Sequence, residues 1–119
     1  MRAGLDIGGT KTDAVAVDSA GAIVARVRLA TGWGVDAVVR TALEAVRLLA
    51  AEVAPTGAIE SVGIGIPGQV EPGTARVVHA VNLGVEELDL AAAVEPQLGV
   101  PVRVENDVNA AAFGAFALR

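Results

Sequence analysis

Leu5-Asp6-Ile7-Gly8-Gly9-Thr10-Lys11-Thr12-Asp13, running on into Ala14-Val15-Ala16-Val17, is a short apolar run, a glycine pair and a second apolar run. The pattern predicts two strands joined by a tight turn, in which Gly8 and Gly9 allow positive φ and close approach of a ligand to the backbone. Thr10 and Thr12 add hydroxyls, and Lys11 adds a cation. Lys11 is the one lysine of the chain, the other eight basic residues being arginine. A cation in a Gly-rich turn suits a phosphate; a surface lysine in an ordinary hairpin is the plainer alternative. Asp6, flanked by Leu5 and Ile7, is a poor choice for a purely structural position, because buried acids are rarely tolerated without a partner or a metal.

Outward from this turn, residues 3–7, 12–18 and 22–29 read as three sequential antiparallel strands, with Ser19-Ala20-Gly21 turning into the third. After Gly32-Trp33-Gly34 the period changes. Val35, Val39, Ala42, Val46, Leu49 and Val53 recur at three- and four-residue steps and predict an amphipathic helix ending before Pro55. Residues 59–66 read as a strand whose continuous apolar character implies cover on both faces. A small hairpin comes next around Pro72-Gly73, over residues 70–78. Glu86, Glu87 and Asp89 read as helix-capping acids, favoured by the helix dipole. The helix they introduce starts near Asp89 and stops at Gly99, with a kink or split expected at Pro96. Residues 100–104 give the last strand and 107–118 the last helix. The order read along the chain is βββαβαβα.

The hand-over to that last helix, Val104-Glu105-Asn106-Asp107-Val108-Asn109, breaks an apolar run with two acids and two amides. Such strand-to-helix turns leave backbone N–H groups unpaired, which attracts anions and polar substrate groups. A carboxylate fixed there beside Asn106 can take a proton from a bound hydroxyl. Read on its own, Asp107 is equally well a helix N-cap. Glu105 is assigned no chemistry beyond orienting the turn.

Taken together, these segments resemble the N-terminal half of the ROK family of sugar kinases, within the actin-like ATPase superfamily. The matching pieces are Asp6-Ile7-Gly8-Gly9-Thr10-Lys11, Gly63-Ile64-Gly65-Ile66-Pro67-Gly68, Asn82-Leu83-Gly84, and Leu98-Gly99-Val100-Pro101-Val102 leading into Glu105-Asn106-Asp107. They occur in the family's order and cover nearly the whole chain. Two positions depart from the pattern: Val85 stands where an aromatic residue often comes after Asn-Leu-Gly, and Ala115 replaces a frequent acid. Both bear on substrate preference.

The resemblance implies an α/β actin-like (ribonuclease H-like) half-fold, a mixed five-stranded sheet with the first strand near its centre and helices on both faces, and an ATP-dependent, glucokinase-like transfer of the γ-phosphate to a hexose hydroxyl. Asp107 is the implied catalytic base. Gly8, Gly9, Thr10 and Lys11 would cradle the phosphates of ATP, and Asp6 would hold Mg²⁺ directly or through water. Gly68, Gln69, Asn82 and Asn106 would hold sugar hydroxyls, although Asn82 reads equally as a turn residue. Residues 1–119 are expected to form a single N-terminal lobe, inactive alone. The second lobe, with its adenine pocket, zinc site and further sugar ligands, is absent from this chain. Two alternatives stand beside the kinase: the sugar-sensing domain of a ROK-type transcriptional repressor, and a non-catalytic sugar- or nucleotide-binding lobe. A chain that begins directly on its first strand leaves no room for the repressor's helix-turn-helix, and Asp107 argues for catalysis.

Other motifs and the composition narrow the choice. Gly63-x-Gly65-x-x-Gly68 spells the dinucleotide fingerprint, but Pro67 and a hairpin after it stand where that motif needs a helix. No P-loop is present. His79, the single histidine, has no Cys or His partner for zinc and reads as a surface or pocket-edge residue. The chain has no cysteine, and its net charge of −5 argues against nucleic acid. Only three aromatics occur among 119 residues, Trp33, Phe113 and Phe116, so the core must be small and aliphatic. The chain reaches Asp6 too soon for a signal peptide and holds no apolar run of membrane-spanning length, so a cytoplasmic domain without membrane contact is expected. Phe113, Phe116 and Leu118 on the last helix suggest a homodimer or looser self-association.

Overall fold

A computed structural model describes residues 1–105. The chain opens as a meander: β1 (Arg2–Ile7), β2 (Lys11–Val17) and β3 (Ile23–Ala30) pair antiparallel in sequence. Asp18 builds the second turn, its Oδ1 accepting from the Ala20 and Ala22 amides, with Gly21 at φ 86°. Two further strands, β4 (Ser61–Gly65) and β8 (Val102–Glu105), add in parallel to β1 and to each other. The order is β3-β2-β1-β4-β8, so β1 is the central strand, as expected.

Alternation along the strands makes one face of this sheet apolar. Ala3, Leu5, Ile7, Ala14, Ala16, Val62, Ile64, Val102 and Val104 form that face, and all are buried in one cluster. Two helices, α1 (Val35–Val53) and α2 (Leu90–Leu98), pack on it and on each other. The buried side of α1 runs through Val38, Ala42, Ala45 and Leu49. Val35 is exposed and Val39 half-buried, so the helix is rotated slightly from the stripe read in the sequence. Among the described residues both helices lie on this one face; the helix expected over 107–118 lies outside them.

Three expectations are corrected. Residues 81–89 do not lead straight into a helix: a 3-10 turn (Val81–Leu83) gives way to β7 (Val85–Asp89). With β5 (Gln69–Val70) and β6 (Arg76–Ala80) it makes a second, three-stranded antiparallel sheet, so the order is longer than βββαβαβα. Glu86 and Glu87 are therefore strand residues, and Arg76 bridges Glu71 and Glu87 at 2.9 and 2.8 Å. Val85 and Leu88 drive this pairing by joining the core, a two-sided demand that the acids between them masked. Asp89 does cap α2, accepting from the Ala92 amide at 3.0 Å.

The second correction concerns Pro96, which neither splits nor ends α2. It stands in the last turn of a nine-residue helix, where few backbone bonds remain to be lost, and Gly99 closes that turn in the left-handed region at φ 72°. Third, the strand read over residues 59–66 is shorter, β4 covering only Ser61–Gly65. Val62 and Ile64 enter the core, but the opposite face of the strand carries Gly63 and Gly65.

Candidate functional site

The three parallel strands β1, β4 and β8 end at the same edge of the sheet, because parallel neighbours in register must. Each strand end leads into a segment with predicted site residues: the Gly8–Lys11 turn after β1, Ile66-Pro67-Gly68 after β4, and residues 106–107 after β8. Ligands of open α/β sheets bind beyond the carboxyl ends of such strands. Asn106 and Asp107 lie outside the described residues. The chain before them is fixed, since the Ile66 amide donates to the Glu105 carbonyl at 3.0 Å.

The Gly8–Lys11 turn closes with the Gly8 amide donating to the Lys11 carbonyl at 2.9 Å. Neither Gly8 nor Gly9 adopts positive φ, contrary to the expectation. Glycine is required at Gly8 by closeness instead: a Cβ there would lie 2.8 Å from the Lys11 carbonyl oxygen. At Gly9 it would meet only Asn82, whose Cβ lies at 3.5 Å, an ordinary contact. Gly9, Thr10 and Lys11 are exposed. Thr12 is not available to a ligand: it is fully buried, and its hydroxyl shares a 2.8 Å hydrogen bond with that of Thr31. Thr41 on α1 donates to the Thr31 carbonyl at 2.8 Å, and the Thr31 amide donates to the Thr10 carbonyl at 2.9 Å. The turn is thus anchored from beneath by a chain of threonines.

Gly68 is pressed against β6. A Cβ there would lie 2.3 Å from the His79 carbonyl oxygen and 2.9 Å from Ala80 Cβ, so packing alone demands glycine at this position. Gln69 pairs with His79 across β5 and β6, and both are exposed. Asn82, in the 3-10 turn, is exposed and borders Gly9. The structure therefore brings Asn82 to the Gly8–Lys11 turn and holds Gly68-Gln69 on the neighbouring hairpin.

Asp6 is half-buried on the sheet face opposite the helices. Its register partner on β2 is Asp13, so two carboxylates face each other across the β1–β2 pair. Burial pushes the Asp6 carboxyl above its usual range, and Asp13 adds to the shift. Asp13 is itself held by Arg28 on β3, whose Nε donates to Oδ1 at 2.6 Å. A groove of about 470 Å³ opens over this face, lined by Asp6, Asp13, Val15, Arg26 and Arg28. The arrangement fits a hard cation such as Mg²⁺, which takes one or two carboxylates and completes its shell with water and phosphate oxygens. Among the described residues no group of three or more His, Cys, Asp or Glu side chains could form a closed metal cage.

Two residues at this edge were not singled out from the sequence. Asp13 was legible in principle, since folding the strands about a tight Gly8–Lys11 turn sets it opposite Asp6. Trp33 had a weaker signal, a large aromatic between two glycines. It stands 70% exposed, with its indole against Gly84.

Comparison with known proteins gives these features a family. Residues 2–118 match the model described as the ROK family. The glucokinase of Streptomyces coelicolor is 40% identical over 114 residues, covering 95% of this chain and 34% of the relative. A putative xylose repressor of Caldicellulosiruptor sp. is 41% identical over 56 residues, 47% of this chain and 14% of the repressor. Among solved structures, a ROK family glucokinase from Streptomyces griseus in complex with glucose and AMPPNP superposes with a TM-score of 0.82 at 38% identity. That match covers 98% of this chain and 36% of the other. The chain spans about a third of the length of the glucokinases it matches. The likeness establishes the actin-like ATPase half-fold, built on a central β1 and parallel strands that end together at one edge. By its sequence along almost all its length and by its fold, the chain belongs to the ROK family.

Proposed function

We propose that this chain is the N-terminal lobe of an ATP-dependent hexose kinase of the glucokinase type. The observation that carries the reading is the convergence of the Gly8–Lys11 turn, Gly68 and the strand entering Asn106-Asp107 at the carboxyl edge of β1, β4 and β8. In this reading the backbone of Gly8 and Gly9, with Thr10 and Lys11, holds the phosphates of ATP. Asn106, Asn82, Gln69 and the Gly68 backbone hold sugar hydroxyls. Asp107 accepts the proton of the attacking hydroxyl as its oxygen bonds to the γ-phosphorus, and the bond from that phosphorus to ADP breaks in line. Mg²⁺ at Asp6, when bound, offsets charge on the phosphates.

A carboxylate kept partly out of water beside a second one gains most from a cation, which is why Asp6 suits that role. The second, C-terminal lobe would supply the adenine contacts and close the cleft against water, so a lone lobe should not turn over. The acidic composition fits a cytoplasmic enzyme, and among the described residues no helix is long and apolar enough to cross a membrane.

The identity shared with a xylose repressor favours one other reading, a sugar-sensing lobe of a transcriptional repressor. A two-lobed form of the protein incubated with Mg-ATP and a hexose panel separates the two. Sugar phosphate formed at an ordinary kinase rate supports the enzyme. Sugar binding without transfer, together with a sugar-dependent shift of operator DNA, would replace it with the repressor.

A further inference from the structure

The loop 31–34 presents Trp33 to the site edge by construction rather than by accident of exposure. It is tied at its start to the Gly8–Lys11 turn, through the Thr31 amide on the Thr10 carbonyl and the Thr12–Thr31 hydroxyl pair. It is tied at its end to the 3-10 turn, where the Gly34 amide donates to the Leu83 carbonyl at 2.7 Å. Gly32 and Gly34 flank the tryptophan at φ 80° and 94°, backbone that other residues adopt only under strain. The indole lies on a third left-handed glycine, Gly84 at φ 68°. Any Cβ there would stand 2.4 Å from the ring, so the absence of a side chain makes the seat. Asn82, two residues before that seat, is exposed and touches Gly9. Val85, on the other side of it, is buried and offers nothing to the cleft.

We propose that Trp33 is a sugar-binding residue, a flat apolar platform for the C–H face of the hexose whose hydroxyls Asn82 and its neighbours hold. The proposal rests on the kinase reading for the identity of the ligand. A hexose has two kinds of surface, hydroxyl edges and apolar C–H faces, and a pocket of amides alone leaves the second unmatched. An aromatic ring whose back is seated on backbone and whose other surface is open supplies it at little entropic cost, since the tethers on both sides already fix the loop. The ring rests on Gly84, two residues from Asn82, and in the kinase reading Asn82 belongs to the sugar end of the edge. The aromatic residue thereby comes from the loop after β3, while the 3-10 turn contributes Asn82 and leads into the seat at Gly84.

The test uses a two-lobed form of the protein with D-glucose and Mg-ATP, comparing wild type, Trp33→Ala and Trp33→Phe by calorimetry and steady-state kinetics. Trp33→Ala should weaken glucose binding and raise the glucose KM by about three- to tenfold, with Trp33→Phe recovering most of the loss. The ATP KM should hold. Unchanged glucose affinity in Trp33→Ala, where wild type binds glucose, overturns the proposal and leaves the kinase reading standing. An effect confined to the ATP KM overturns it too, and so does a change in solution mass without a change in glucose affinity, which would make Trp33 a contact between copies. Wild type that binds glucose through Trp33 but transfers no phosphate removes the kinase reading and keeps the platform. Wild type that binds no hexose removes both.

Discussion

Replacing Gly68 by alanine adds one methyl at the point where β5 is pressed hardest against β6. The new Cβ would begin 2.3 Å from the His79 carbonyl oxygen and 3.0 Å from Ala80 Cα, both backbone-fixed. An ordinary C···O approach is about 3.3 Å, so the hairpin must move by roughly 1 Å or lose the Gln69–His79 pairing. Overpacking of this kind costs about 1–3 kcal/mol, and a backbone obstacle that cannot rotate away sets the expectation near the upper end, about 2–3 kcal/mol. For a domain of 119 residues each kcal/mol lowers Tm by about 4 °C, so a fall of about 8–12 °C is expected. Gly73→Ala is the control: nothing lies within 4 Å of its Cβ, but φ is 75°. That variant should lose only the left-handed penalty of about 1 kcal/mol. Thermal unfolding followed by circular dichroism reads both. If Gly68→Ala melts no lower than Gly73→Ala, the hairpin yields freely and the packing demand at Gly68 is wrong.

Asp6→Asn should stabilise the fold at neutral pH. The folded-state carboxyl sits above its ordinary value of 3.8, so its contribution to stability is full below that value and is lost as pH rises through the raised one. Urea midpoints should therefore favour the amide at pH 7, by under about 1 kcal/mol because water screens the site, and converge near pH 3; equal midpoints at both pH values would refute the burial argument. Gly9→Ala places its methyl in ordinary contact with Asn82 and should leave Tm nearly unchanged. It should still weaken ATP about tenfold in calorimetry by blocking close approach of the phosphates, a loss of about 1.4 kcal/mol. Unchanged ATP affinity would take the Gly8–Lys11 turn out of the nucleotide site. The 119-residue chain alone should fold and yet form no sugar phosphate from Mg-ATP and glucose; turnover at an ordinary kinase rate would show that one lobe suffices.

Much of the fold was legible because local signals agreed with the global ones. The meander, the helix after Gly34 and the strand before Asn106 each came from periodicity bounded by glycine or proline. Strand β7 was hidden because Glu86 and Glu87 form an acidic pair ahead of a real cap, Asp89, and the burial of Val85 and Leu88 is visible only once the hairpin lies beside them. Thr12 illustrates the same limit at the site. Its hydroxyl looked free for a ligand, and its partner Thr31 is distant in sequence. The glycines misled in mechanism more than in position: Gly8 and Gly68 are needed for close backbone approach, while the left-handed glycines nearest the site are Gly32, Gly34 and Gly84. Trp33 could not be assigned from sequence because its seat is an absence, the missing side chain of a residue in another turn.

If Asp107 is the base that takes the sugar proton, removing its charge must stop the chemistry and spare the binding. In a two-lobed form of the protein, glucose phosphorylation by Asp107→Asn should be measured beside its glucose affinity by calorimetry. The amide keeps the shape and part of the hydrogen bonding but cannot accept the proton. Turnover should fall by about 10²- to 10⁴-fold with glucose affinity nearly unchanged. Near-wild-type turnover in that variant would reduce Asp107 to a helix cap and contradict the proposed mechanism.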